Sequence, residues 1–187
     1  MKAPHFGFKA RRAARGFTLV EAMVTVVIVG ILATLAIAGT RKYIATSKSS
    51  EAIEMIGHIR DAQEANKQDS FGYLDVSTDF SPSSYYPANP NPGRSKMLFA
   101  GPGTGQAAWQ MLNVQTDGPV TFVYATTAGA NSVPTSLGSD ITVTNWPTTN
   151  VNAPWYVVKA RADFTGSGVY TVFAAGSFTN DLYSAND

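Results

Sequence analysis

The sequence contains no cysteine, which excludes disulfide bonds, thiolate metal ligands and a cysteine nucleophile. Histidine is almost as scarce, because His5 and His58 are the only two and they stand far apart in the chain. Asp61 follows His58 by three residues, but a solvated polar helix face explains this pair better than a metal site does. We therefore expect the protein to bind no metal.

Charged residues make up only 14% of the chain, and they are unevenly distributed. All five charged residues among the first sixteen are basic, which leaves nine Lys and Arg against thirteen Asp and Glu in the remainder. A surface with this acidic excess does not attract nucleic acid. A DNA-binding alternative would depend on Lys159 and Arg161, two residues apart on one strand face. Arg94 and Lys96 would have to join them, and four cations are a thin basis for binding DNA.

Motifs for catalysis or cofactor binding are also missing. Residues 101–105 (GPGTG) resemble a phosphate loop only in their glycines, since no lysine follows and no strand-to-helix setting surrounds them. In residues 162–168 (ADFTGSG), Thr165 and Ser167 stand where a calcium loop would need carboxylates. No Ser, His and Asp set comes with a supporting motif. We expect no enzyme activity and no cofactor.

The sequence does contain one long apolar run. Residues 22–39 (AMVTVVIVGILATLAIAG) include no polar side chain except two threonines. As a helix this run would be about 27 Å long, close to the hydrocarbon thickness of a bilayer. The basic segment before it predicts a cytoplasmic N-terminus, although Arg41 and Lys42 weaken that bias slightly.

A secretory signal peptide is the alternative interpretation of this N-terminal region. The apolar run is longer than a usual signal sequence, however, and a helical pattern continues after it. Glu21 also stands at the edge of the run, where a lone carboxylate costs free energy and therefore calls for a functional partner.

Residues 15–21 (RGFTLVE), together with the basic leader and the apolar run, resemble the cleavage signature of type IV prepilins and pseudopilins. The resemblance covers about the first fifty residues and extends through Gly30 to Tyr43. It implies that prepilin peptidase removes residues 1–16 by cutting between Gly16 and Phe17. It also implies methylation of the new Phe17 amine and pairing of that amine with Glu21 of a neighbouring subunit. One departure is Ala38, close to a position where many members have proline.

The resemblance implies a structural subunit, major or minor, of a type IV pilus. Such a subunit polymerises with itself and with other pilins through its N-terminal helix, after handling by an inner-membrane assembly platform. It would lie in the inner membrane with its head in the periplasm before assembly, and in an extracellular filament afterwards. Two alternatives remain open: a pseudopilin of a type II secretion system, and a tip adhesin or DNA-uptake minor pilin.

The rest of the chain predicts an α+β fold. Residues 41–69 lack proline and carry apolar residues, including several isoleucines from Ile44 to Ile59, at intervals of three and four. They predict an amphipathic helix that continues the membrane and filament-core helix of residues 17–40, giving one helix over about 17–69. Residues 70–105 hold five of the ten prolines and predict an irregular connection.

Residues 106–187 predict a β-rich globular head. A short helical turn is expected at 107–112, presenting Trp109, and strand signals occur at 120–126, 141–146, 155–164 and 169–174. Residues 166–168 (GSG) fit a tight hairpin turn between the last two strands. The expected fold is an antiparallel meander of about four strands packed on the long helix, with most aromatic residues in the core. The polar tail, 177–187, is expected to lie on the surface.

Overall fold

The structure, a computed structural model, describes residues 16–101, 103–132, 136–143, 146 and 152–186. Most of the predicted leader, including His5, lies outside these residues. The chain divides into two compact units, Met1–Tyr43 and Ile44–Asp187. We call them the N-terminal unit and the globular unit.

Helix α1 is Leu19–Ser70, 52 residues long, and confirms the predicted continuous helix. No proline occurs between Pro4 and Pro82, so nothing in this stretch removes a backbone donor from the helix. The helix ends where Phe71 takes a left-handed conformation, with φ of 60°. The Phe71 N–H donates to the Lys67 carbonyl at 2.9 Å, which closes the last turn.

Replacing Phe71 by glycine should therefore stabilise the globular unit by about 1 kcal/mol, since a left-handed conformation strains any residue with a Cβ. The Phe71 side chain is 89% exposed, so little packing is lost. Urea unfolding of the full chain in detergent, followed by tryptophan fluorescence, measures this change, because Trp109, Trp146 and Trp155 all lie in the globular unit. Phe71→Ala keeps a Cβ at the same φ and should change stability little. Equal effects of the two substitutions would contradict the strain argument.

One face of α1 packs on the globular unit's core. Ala52, Met55, Ile56 and Ile59 are buried there, at spacings of three and four. The prediction that Ile44 and Ile53 belong to this face is wrong, since they are 48% and 47% exposed. Ile53 follows Ala52 by one residue and so points about 100° away from the buried line. Ile44 precedes the first buried helical residue by about 12 Å of helix.

The sheet has four antiparallel strands in the order β1-β2-β3-β4, as the meander prediction required. The strands are β1 Val123–Gly129, β2 Trp155–Ala162, β3 Thr171–Gly176 and β4 Tyr183–Ala185. In the central register Ala160 faces Tyr124 on β1 and Phe173 on β3. A 3-10 turn, Pro82–Ser84, lies in the connection before the sheet, and helix α2 is Gln106–Leu112. Trp109 of α2 is buried in the core rather than displayed.

Two strand predictions need correction. Residues 141–143 and 146, predicted within a strand, form none, and Ile141 and Trp146 are buried against the sheet instead. Their apolar side chains are buried by packing on the sheet rather than by strand pairing. The fourth strand is β4, in the tail predicted to be surface only. It pairs with β3 and is held further by the Thr171 hydroxyl, which donates to the Asn186 carbonyl at 2.7 Å.

Each face of the sheet has its own apolar cluster. Tyr124, Tyr156 and Phe173 pack towards α1, in the larger cluster. Val157 and Val172, which alternate with these residues along their strands, pack on the opposite face under the segment that contains Ile141. Both faces are therefore covered, so charged residues on the second face are buried as well.

Buried Gln63 ties the irregular connection to α1. Its side-chain amide donates to the Leu74 carbonyl at 2.8 Å, while its Oε1 accepts the Leu74 N–H at 2.9 Å. The same amide reaches the Thr126 hydroxyl of β1 at 3.3 Å. One helical side chain thus acts as a backbone-like partner for the connection, which would otherwise bury unpaired polar groups.

Candidate functional site

The candidate site begins where Gly16 and Phe17 lead into α1. Both residues are exposed and precede the first helical turn. The Thr18 hydroxyl accepts the Glu21 N–H at 3.2 Å, and the Thr18 carbonyl accepts the Ala22 N–H at 3.1 Å. Thr18 is therefore the N-cap of the helix. The T-x-x-E spacing of Thr18 and Glu21 is a capping-box signature that could have identified this cap from sequence.

Glu21 lies in the first turn of α1 with its side chain exposed. A carboxylate there is favoured by the partial positive charge at the helix N-terminus. Among the residues that the structure describes, the ion pairs are those of Glu51 and Asp140, and Glu21 takes part in none. A single copy of the chain, over its described part, leaves the Glu21 carboxylate free for an external cation.

The apolar part of α1 is exposed along its whole length. Leu19–Ile37 has a mean hydropathy of 2.5 with 0% of it buried, and it is long and apolar enough to cross a membrane. The hydroxyls of its two threonines bond back to the helix, Thr25 to the Ala22 carbonyl at 2.9 Å and Thr34 to the Ile31 carbonyl at 2.7 Å. Such bonding lets a threonine sit in an apolar medium. The segment is therefore suited to contact lipid or other apolar helices.

The cations considered for DNA binding are mostly occupied within the globular unit. Lys159 is fully buried, and its Nζ donates to the Leu137 carbonyl and to the Asp140 carboxylate. The Arg161 side chain is 11% exposed and lies 3.9 Å from Asp140. Lys96 is exposed but paired with Glu51 at 3.4 Å. Lys159 and Arg161 share a strand face as predicted, yet neither is presented to a phosphate backbone.

The segment weighed as a calcium loop is organised by a single acid. The Asp163 carboxylate accepts the N–H groups of Thr165 at 3.0 Å, Gly166 at 2.6 Å and Gly168 at 2.7 Å. Burial by itself would raise the pKa of Asp163, but the Gly168 and Gly166 donors outweigh it and hold the pKa below the ordinary carboxyl value. Asp163 therefore builds the turn between β2 and β3 by accepting backbone donors.

This arrangement predicts a pH dependence. The pKa of Asp163 is lower in the folded state than in the unfolded chain, so the unfolded chain binds a proton first as pH falls. The stability that the Asp163 carboxylate contributes is therefore present above the ordinary carboxyl pKa and is lost as pH falls below about 4. Urea midpoints measured from pH 6 to pH 3 should fall less steeply in Asp163→Asn than in the wild type. Asp61→Asn, at an exposed helical position, should keep the wild-type slope. Calcium chloride should leave the wild-type midpoint unchanged. Equal slopes in both variants would contradict this role of Asp163.

The remaining sequence candidates form no site in the described part of the chain. His58 is exposed, with Nδ1 3.2 Å from the Gln115 carbonyl oxygen. No group of three or more His, Cys, Asp or Glu side chains among the described residues could hold a metal ion. The glycine-rich stretch at 101–105 includes Gly105, which precedes α2 with φ of 78°. Of the sequence candidates, only the N-terminal segment combines a motif with a distinctive surface.

One of the comparisons with known proteins matches this same segment. The family model described as the prokaryotic N-terminal methylation motif covers residues 11–37. A fimbrial protein of Moraxella nonliquefaciens is 35% identical over 63 residues, 34% of this chain and 41% of that protein. Fimbrial protein EcpC of Eikenella corrodens is 40% identical over 47 residues, 25% of this chain and 31% of that protein. Type IV major fimbrial protein FimA of Dichelobacter nodosus is 46% identical over 50 residues, 27% of this chain and 32% of that protein.

The chain thus matches less than half the length of each of these relatives. No solved structure matches it significantly. The similarity lies in a short stretch rather than along the whole chain, and the motif region coincides with the capped, exposed apolar helix described above. The chain thus carries the prokaryotic N-terminal methylation motif on this helix and is similar, over a short stretch, to fimbrial proteins.

Proposed function

We propose that the protein is a structural subunit of a type IV pilus, cut between Gly16 and Phe17 by prepilin peptidase and methylated on the Phe17 amine. One observation carries the proposal: the exposed apolar part of α1, Leu19–Ile37, is separated from the Gly16–Phe17 bond by only Phe17 and Thr18. A surface of this size does not remain in water. Lipid covers it before assembly, and the helices of neighbouring subunits cover it in the filament.

Phe17 and Glu21 set the register of assembly in this proposal. Cleavage creates a cationic amine on Phe17, and Glu21 lacks an ionic partner within the described part of its own chain. When the Phe17 amine of one subunit pairs with the Glu21 carboxylate of its neighbour, each charge neutralises the other. The partners are then copies of this chain, other pilins, prepilin peptidase and the inner-membrane assembly platform. The globular unit lies in the periplasm before assembly and on the outside of the extracellular filament afterwards.

Intact mass spectrometry of the protein from its native envelope tests this function. We expect a chain that begins at Phe17 and carries one additional methyl group, and we expect the same species in sheared surface fibres. A chain that begins at Met1, or one cut well beyond Gly39, would refute processing at this motif. Processed protein that never enters surface fibres, but is required for protein secretion, would instead identify a pseudopilin.

A further inference from the structure

The second face of the sheet carries a two-part cleft that the proposed function does not use. Its larger part, about 770 Å³, is lined by Thr127 and Trp155 of the sheet and by Ser139, which belongs to the segment around Ile141 that covers this face. Its smaller part, about 470 Å³, is lined by the proline-rich connection and Tyr85. Arg161 and Tyr170 border both parts. We call this feature the Arg161 cleft.

The groups around the larger part are polar without a net charge. Five serine and threonine side chains line it: Thr78, Ser81, Thr127, Ser136 and Ser139. The carboxylates of Asp79 and Asp140 line it together with the guanidinium of Arg161, and Lys159 donates to Asp140. Two acids are thus balanced by two bases, so the cleft attracts neither a polyanion nor a polycation.

Several donors at the cleft lack a partner among the described residues. Thr127 and Trp155 are 5% and 7% exposed, yet the Thr127 hydroxyl and the Trp155 Nε1 make no hydrogen bond with the described residues. Arg161 Nε is likewise unpaired. Each unsatisfied buried donor costs about 1 to 3 kcal/mol, so such groups call for an explanation. A ligand with several oxygen acceptors would supply the missing bonds after a small movement of the walls.

The junction between the two parts is aromatic. The Arg161 guanidinium lies 4.0 Å from the centre of the Tyr85 ring and 4.7 Å from that of Tyr170. Stacking on both rings fixes the guanidinium without using all of its donors. Aromatic walls beside carboxylate, guanidinium and hydroxyl groups match a sugar, whose ring has apolar C–H faces and polar edges.

An extended peptide fits this place less well, because the nearby edge of β1 is already paired. Tyr86 and Tyr124 exchange two backbone hydrogen bonds of 2.8 and 2.7 Å. The Ser77 N–H donates to the Thr126 carbonyl at 2.9 Å, and the Ala128 N–H donates to Asp75 at 3.1 Å. A peptide added as a strand needs free backbone donors and acceptors, and this part of the edge offers few.

We propose that the Arg161 cleft binds a neutral oligosaccharide. Its hydroxyls bond to Asp79, Arg161 and the surrounding serines and threonines, while Tyr170 stacks on a sugar face. The two parts of the cleft accommodate at least two linked sugar rings. This binding does not depend on the chain being a pilus subunit, because every contributing residue lies in the globular unit.

Fluorescence titration of the full chain tests the proposal, with the protein in a zwitterionic detergent that has no sugar headgroup. The probes are neutral di- and trisaccharides of glucose, galactose, mannose and N-acetylglucosamine, with sialyllactose and a proline-rich peptide for comparison. Trp155 lines the cleft, so we expect saturable quenching by at least one neutral probe and at least tenfold weaker binding of sialyllactose. Saturation by no neutral probe, or tighter binding of the acidic sugar or of the peptide, would overturn the proposal.

Variants then locate the binding. Tyr170→Ala removes the stacking ring, and Ser139→Trp fills the larger part from an exposed position that needs no refolding of the core. Each should weaken binding at least tenfold. Phe71→Ala removes an exposed aromatic ring that does not line the cleft and should leave binding unchanged. Circular dichroism confirms folding of each variant. Unchanged binding in folded Ser139→Trp would show that the sugar binds elsewhere.

Discussion

Replacing Asp140 by asparagine should destabilise the globular unit by about 3 to 5 kcal/mol, the usual cost of leaving a buried charge without its partner. Lys159 is fully buried beneath Asp140, which also lies 3.9 Å from Arg161. Asparagine keeps the size of the side chain but removes the negative charge between two cations. Urea unfolding followed by tryptophan fluorescence measures the loss.

The pH dependence of this loss identifies its cause. Burial lowers the pKa of Lys159, while the Asp140 carboxylate opposes that shift. Without the carboxylate the folded-state pKa falls further, so Lys159 sheds its proton in the folded state while the unfolded chain still holds one. Stability then rises with pH between the folded-state pKa and about 10.5. The defect of Asp140→Asn should therefore shrink as pH increases towards 10.

Two further variants complete this experiment. Asp140→Asn combined with Lys159→Met removes both charges and should recover more than half of the lost stability. Asp61→Asn changes an exposed aspartate and should stay within about 0.5 kcal/mol of the wild type. A loss no larger than that of Asp61→Asn would refute the buried pair.

Replacing Glu21 by alanine should abolish surface fibres while leaving processing intact. If each subunit interface loses a buried charge pair worth about 3 to 5 kcal/mol, fibre yield falls by roughly 100-fold or more. Fibre yield is measured by electron microscopy and by immunoblotting of sheared surface material. Intact mass should still show a chain that begins at methylated Phe17, since the bond between Gly16 and Phe17 is unaltered.

Thr18→Ala separates the capping of helix α1 from the proposed charge pairing of Glu21. It removes the N-cap hydroxyl, which costs about 1 kcal/mol of helix stability, but it keeps the Glu21 carboxylate. We expect fibre yield near the wild-type level in Thr18→Ala, and likewise in Glu54→Ala, which changes an exposed glutamate of the same helix. Normal fibres in Glu21→Ala would contradict a register role for this residue.

Local signals in the sequence were sufficient for much of the fold. The apolar run and the three-and-four spacing that follows predicted α1 to within two residues at either end. The strands β1, β2 and β3 were predicted with shifted boundaries, because β-branched and aromatic residues also occur in the turns beside them. Strand β4 was missed, since Tyr183–Ala185 is three residues long and has no local signal of its own.

The segment around Ile141 shows why other parts could not be predicted. Its apolar, β-branched residues satisfy the pattern of a buried strand, but the pattern records only that side chains are buried. Whether burial comes from strand pairing or from covering a sheet depends on residues distant in sequence, here Val157 and Val172. The same long-range contact buried Lys159, which sequence alone had offered as a surface cation.

The sequence by itself determined the N-terminal part of this protein, because the methylation motif, a helix cap and an apolar helix are encoded by neighbouring residues. The tertiary structure alone decided which side chains are buried and paired on the second face of the sheet. Asp140, Lys159, Arg161 and Tyr85 are separated by up to 76 positions in the chain and meet only once the sheet is covered. Their ion pairs, their burial and their unsatisfied donors exist only because tertiary contacts bring these residues together.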